Sequence, residues 1–320
     1  MEITNVNREN KVGVLYGANS AVAVQKLQNE TMAPESTGVV YESGNSVEGY
    51  GLYTETGVSI DKLANNHQVQ NALHSLGFYS GPTDGNLKSE SCIKAIKNFQ
   101  TVYGLCESGT MNGATKTKLN KAYTMKSKIA NSNVAKEIDK AFDNYTMDYM
   151  QRDTFANTWV FLRVGMGLTV KQTAGVCGNI MNESVFSADN AQDRLKVNGV
   201  IITYPGVHNK KDYSYNIKDG VGYGLIQWTF SSRKKALKEK ADSMELGVSN
   251  LNVQLAFFRE EMLHSRDYKE KWKEVTKAKT VKDVSDAFLR EIENPDDKNY
   301  TERRVYGRTI YKKMKELTGI

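Results

Sequence analysis

The sequence predicts a mostly α chain of the α+β class, and three observations predict it. Apolar residues recur at steps of three and four through residues 60–122 and again through 153–320, the repeat of helices that bury one face. Thr169 followed three residues later by Gln172 has the form of a capping box, in which each side chain satisfies an orphaned backbone donor at a helix start. Leu195-Lys-Val-Asn-Gly-Val-Ile-Ile-Thr-Tyr204 sets Asn198-Gly199 between β-branched residues, the strongest short signal for a small β-hairpin in the chain.

At 320 residues the chain has room for two or three domains, each with its own core. Its 39% hydrophobic and 25% charged residues are ordinary for a globular protein. No apolar run approaches the length that crosses a bilayer, and the first thirty residues carry no basic start ahead of a hydrophobic segment. Neither membrane insertion nor a signal peptide is therefore expected. Cys92, Cys106 and Cys177 are odd in number and share no metal-like spacing, so they read as buried free thiols of a chain made in a reducing compartment. His67, His74, His208 and His264 are scattered, which argues against a zinc site; no metal and no cofactor are expected. The net charge of +6 suits an anionic surface such as a teichoic-acid-bearing wall and equally describes an ordinary basic surface; no nucleic-acid partner is expected.

Residues 1–59 hold more glutamate than lysine and arginine among many Asn, Ser, Thr, Val and Gly, and read as a partly disordered arm or linker, or a docking segment. A short helix over 21–28 and a short strand over 38–41 are the elements they suggest. Residues 60–122 read as a three-helix module. Val69, Ala72, Leu73 and Leu76 make the first face, Cys92, Ala95, Ile96 and Phe99 the second, and Leu119 closes a third, shorter element begun near Thr115. Residues 123–152 are polar with a thin stripe of Ala135, Ile138, Ala141 and Phe142, as in a helical linker, before an apolar helix from Phe155 opens the region 153–320.

Below the capping box, Val170, Ala174, Cys177 and Met181 recur at steps of four, three and four, and the pattern stops after Ser184. Glu183 therefore projects from the last turn. There the helix dipole, and partial burial beside Met181 and Phe186, both disfavour a charged carboxylate, as a general acid near neutral pH requires. An exposed glutamate at a helix end is the plain alternative. Further on, Asp219-Gly-Val-Gly-Tyr-Gly-Leu-Ile-Gln-Trp-Thr229 packs glycines that admit a ligand to the backbone beside flat aromatic faces, which suits a sugar. The later helices read as structural: Ser231 or Ser232 and then Ser249 are cap candidates, Tyr306, Ile310 and Met314 line the last helix, and Lys234-Lys235 reads as a solvated helix face.

Four blocks now carry a resemblance: residues 175–184, the run 222–229 with Arg233, the helix 251–263, and Ala287-Phe-Leu-Arg-Glu-Ile-Glu-Asn-Pro295. In this order, from about residue 155 to 317, the chain resembles the phage tail lysozyme family of lysozyme-like peptidoglycan hydrolases. The resemblance implies that a Glu-ended helix and a hairpin form a cleft wall, with Glu183 catalytic and Tyr223, Gly224, Gln227 and Trp228 along the sugar subsites. Arg233 either contacts substrate or pairs with a carboxylate. Hydrolysis ordinarily needs a second carboxyl, about 5 Å away as a nucleophile or about 6.5 to 9.5 Å away to activate water. Asp193, which enters the hairpin, is favoured over Asp189, Asp212 and Asp219; without such a partner the same acid would serve a lytic transglycosylase.

Residues 60–122 likewise resemble a small three-helix peptidoglycan-binding domain, through Gln70, Gly77-Phe-Tyr79, Asp84-Gly85, Ala95 to Gln100, Gly104-Leu105, Thr115 and Leu119. The chain departs from that pattern at residues 86–88 and at Ser108-Gly109, where a second Asp-Gly is usual. Together the resemblances imply cleavage of the β-1,4 bond between N-acetylmuramic acid and N-acetylglucosamine, with bacterial glycan strands as partner. The alternatives are a transglycosylase giving anhydro-muramyl products and a non-catalytic wall-binding particle component. Synthesis in a host cytoplasm, and then holin-dependent release or carriage on a phage tail, is the implied route to the wall.

Overall fold

The computed structural model describes residues 63–142, 147–192, 194–197, 200–203, 213–295 and 299–318, the two short strands by their backbone alone. The elements expected within residues 1–59, and Asp193, Asn198-Gly199, His208 and Asp212, lie outside the described residues. Eleven α-helices and one antiparallel strand pair are described.

The first three helices, α1 (Asn66–Ser75), α2 (Glu90–Val102) and α3 (Gly113–Ala130), close on Leu73, Ile96, Phe99 and Leu119, each at most 1% exposed. Two buried glutamines fix the loops between them. Gln70 donates to Asp84 Oδ1 (2.9 Å) and accepts from Gly85 N (2.7 Å). Gln100 accepts from Gly109 N (2.9 Å) and donates to Ser108 Oγ (3.2 Å). Ser108 thus takes the place that Asp84 holds in the first loop, and Gly85 and Gly109 both have the positive φ such turns need (79° and 69°). The departure from Asp-Gly changes the acceptor and keeps the turn.

Helix α3 is longer than predicted. Ala122, Tyr123 and Ile129 continue its buried face past residue 122, and α4 (Val134–Lys140) comes next with Val134 and Ile138 buried. The 123–142 stretch is packed, and Glu137 of α4 pairs with Lys313 at 2.9 Å. The three-helix region also packs onto the C-terminal half of the chain. Asn252 Nδ2 donates to Gly77 O (2.9 Å), Lys126 pairs with Asp153 (2.8 Å), and a Cβ at Gly104 would strike the Arg259 guanidinium.

Helix α5 (Tyr149–Val160) starts on an Asp148–Gln151 capping box and runs on into a π-helical turn, Phe161–Gly165. Helix α6 (Val170–Ser184) starts on the Thr169–Gln172 capping box read from the sequence. In place of a single apolar stripe, every residue from Thr173 to Met181 is buried, as befits a central core helix. After the strands β1 (Arg194–Val197) and β2 (Val200–Thr203), paired antiparallel with Val197 opposite Val200, come α7 (Ser231–Ser243), α8 (Leu251–His264) and α9 (Lys269–Lys277). The chain ends with α10 (Val281–Phe288), a π-helical turn Leu289–Glu293, and α11 (Tyr300–Thr318). The serines expected as caps are not the caps: Phe230 holds the N-cap of α7 without a side-chain bond, and Asn250 caps α8. Cys106 is exposed, against the expectation of three buried thiols, because it lies in the loop after α2, whereas Cys92 and Cys177 face cores.

Helices α10 and α11 pack against α6, and small residues allow the approach. A Cβ at Gly178 would lie 2.6 Å from Arg303 O and from Gly307 N, both backbone atoms of α11. Gly178→Ala is therefore expected to force these helices apart and cost about 1–3 kcal/mol, read as a lowered urea midpoint; an unchanged midpoint would refute the close crossing.

Candidate active site

The close crossing brings three charged side chains together at the C-terminal end of α6. Arg303 of α11, 6% exposed, donates from Nη2 to Glu183 Oε1 and from Nε to Glu293 Oε2 (3.2 Å). With its amide oxygen turned toward the guanidinium, Asn182 accepts from Arg303 Nη1 at 2.8 Å. Glu183 keeps 18% of its side chain exposed and Glu293 only 6%. The carboxyl of Glu293 shares the Arg303 guanidinium with Glu183 and is pushed well above the usual carboxylate range, first by burial and next by the charge of Glu183, with Arg303 pulling the other way. Its Oε1 is buried without a hydrogen-bond partner.

The chain leaves α6 through Val185 and Phe186, both left-handed at φ 50° and 57°. Such a conformation is costly for a β-branched residue and is held here by packing, with Phe186 fully buried against Phe155 (centroids 5.1 Å apart). That turn brings the glycine block alongside. Ser184 Oγ donates to Leu225 O (3.0 Å), Asn190 Nδ2 to Glu183 O (3.3 Å), and Gly224 N to Asn190 O (2.7 Å). Tyr223 and Trp228 exchange both backbone hydrogen bonds (3.1 and 2.9 Å), closing a tight loop between them.

Several residues expected to meet sugar serve the core. Trp228 is 1% exposed, packs on Phe257 and donates from Nε1 to Glu261 Oε2 (3.2 Å), so its ring offers no face to a ligand. Tyr223 is 5% exposed between Tyr213 and Tyr215, and burial pushes its phenol up to about 12. Gly224 is required by protein packing, since a Cβ there would lie 2.7 Å from Gln254 Oε1. Gln227, half-buried at φ 51°, spends its amide hydrogens on Gly224 O (2.9 Å) and Asn190 O (3.3 Å). Arg233 forms two bonds to Glu261 (2.6 and 2.7 Å) with its guanidinium over the Tyr268 ring, beside a cavity of about 550 Å³ between α7 and α8.

Of the aspartates, Asp189 accepts from Ser187 Oγ (2.7 Å) and Asp219 is tied into the fold. Lys234 is fully buried, correcting its reading as a solvated residue, and donates to Asp219 Oδ1 (2.6 Å), Tyr213 Oη (2.9 Å) and Val221 O (2.8 Å). Three acceptors use all three ammonium hydrogens, which is how a lysine stays inside. Among the described residues no group of three or more His, Cys, Asp or Glu is placed to hold a metal ion. No described helix is long and apolar enough to cross a membrane.

Sequence reading missed Glu293 and Arg303. A signal existed, because Arg303 falls three residues before Tyr306 and seven before Ile310, on the apolar face of α11, where a charge needs a buried partner.

A family model described as phage tail lysozyme matches residues 153–314, half of the chain, and includes every member of the carboxyl cluster. The chain belongs to the phage tail lysozyme family. A peptidoglycan-binding domain model matches residues 64–119, ahead of it. This phage tail lysozyme family member is thus a lysozyme-like protein that acts on peptidoglycan, mostly helical, with its peptidoglycan-binding domain N-terminal. No curated protein and no solved structure matches the chain.

Proposed function

We propose that this protein hydrolyses the β-1,4 bond between N-acetylmuramic acid and N-acetylglucosamine, with Glu183 as general acid. The supporting observation is the carboxyl cluster at the end of α6: a partly exposed glutamate backed by a buried, raised carboxyl and one guanidinium, within the segment that matches the phage tail lysozyme family. Glu183 protonates the bridging oxygen as the anomeric carbon–oxygen bond breaks. Water then supplies hydroxide to that carbon. Glu293 is unsuited to activate that water, because it is buried on the same guanidinium as Glu183, whereas the second carboxyl of a glycosidase stands across the substrate. Asp193 is the residue we assign to that task. The 64–119 region serves in this reading to hold the enzyme on the wall, with lysis or carriage on a phage particle as its route there.

Digestion of purified peptidoglycan tests the assignment. The expected products end in reducing N-acetylmuramic acid, seen by borohydride reduction and mass spectrometry. Products lighter by one water per cut would mark a lytic transglycosylase, and sedimentation with walls without soluble fragments a binding component; either rejects the hydrolase.

A further inference from the structure

We propose that Glu293 holds the proton that Glu183 delivers, the two carboxyls sharing one proton with Arg303 as their fixed counter-ion; this rests on Glu183 being the general acid. The geometry argues for it. Two carboxyls and one guanidinium meet where none is more than 18% exposed, so full ionisation would leave one negative charge uncompensated and poorly hydrated. One retained proton removes that charge.

Burial favours keeping it on Glu293, the more enclosed partner, and the charge of Glu183 adds to that preference. Arg303 Nε takes Glu293 Oε2, which leaves Oε1, buried and without a partner, to carry the hydrogen. The charged groups acting on Glu293 are Glu183 from α6 and Arg303 from α11. Nearby charges are engaged elsewhere: Arg290 pairs with Glu291 (2.7 Å) and Arg304 with Asp286 (2.5 Å).

In the reaction the one proton moves from Glu293 to Glu183 and on to the leaving oxygen, which leaves both carboxyls ionised about Arg303 until that proton is replaced. The attacking water leaves hydroxide on the anomeric carbon, and its proton, exchanged through solvent, restores the pair. Glu293 is on this account a positioning residue that acts through Glu183.

The test compares pH–activity profiles of the full-length wild type, E293Q, E293D and E183Q on purified peptidoglycan. In E293Q the amide has no proton to give. Its alkaline limb is expected to move down by about one pH unit or more, with activity kept at the acid end. Asp at 293 should restore the limb. A limb that stays in place, or a uniform loss at every pH, overturns the role of Glu293. E183Q separates this from the parent reading, since activity in that variant would reject Glu183 itself.

A readout without turnover uses carbon-13 NMR of labelled glutamate carboxyls in the wild type. One carboxyl should titrate far above the rest, and ordinary titration of all of them overturns the proposal even if E293Q does not fold. Stability should track the same proton. A carboxyl protonated when folded but ionising in the ordinary range when unfolded favours folding at low pH, and that contribution is lost as pH rises through the folded value. E293Q should flatten this decline.

Discussion

Glu183→Gln is expected to lower the rate of peptidoglycan cleavage by about 10² to 10⁴ while leaving the fold intact, because general acid assistance is worth that much and the amide cannot supply it. The fold should survive for a reason visible in the cluster. With Glu183 neutral, Arg303 still has Glu293 at 3.2 Å, and Glu293 can ionise against it once the neighbouring negative charge is gone. No uncompensated charge is left inside. Turbidity loss of purified walls gives the rate and thermal unfolding the fold. A Gln variant that clears walls at the wild-type rate would end the assignment of Glu183.

The largest stability effect is expected at Glu261, which is 5% exposed and accepts from Arg233 Nε, Arg233 Nη2 and Trp228 Nε1. Glu261→Ala strands a guanidinium that is itself only 9% exposed, so the unfolding free energy should fall by about 3–5 kcal/mol. The partnerless charge accounts for most of this. Replacing Arg233 and Glu261 together by Met and Leu should recover much of the loss, since burying an ion pair costs desolvation that apolar side chains avoid. Glu239→Ala is the control: its pair with Lys235 is 3.6 Å long with both partners about two-thirds exposed, and should be worth less than about 1 kcal/mol. Urea denaturation of the three variants checks the order. A Glu261→Ala loss as small as that of the control would mean that the pair is open to water.

The same residues show how far the sequence could be read. The capping box at Thr169 and Gln172 was legible because the bonds span three residues, and local spacing fixes them. The helix faces at Leu73, Ile96, Phe99 and Leu119 were legible for a similar reason, since a repeat of three and four allows one buried side. Trp228 misled, because an aromatic ring beside glycines reads alike whether it faces sugar or core. Lys234 misled in the opposite direction, its burial depending on Asp219, Tyr213 and Val221, which meet it only after the loop folds back.

By itself, then, the amino-acid sequence determined where helices begin, which faces they bury, that Glu183 ends one of them, and which family patterns the two regions match. The tertiary structure alone decided what surrounds that glutamate. Arg303 lies 120 residues further along and meets Glu183 because glycines at 178 and 307 let two helices close on each other. Spacing along a chain encodes local bonds. The balance of charge in a buried cluster is set by which distant side chains the packing brings into contact.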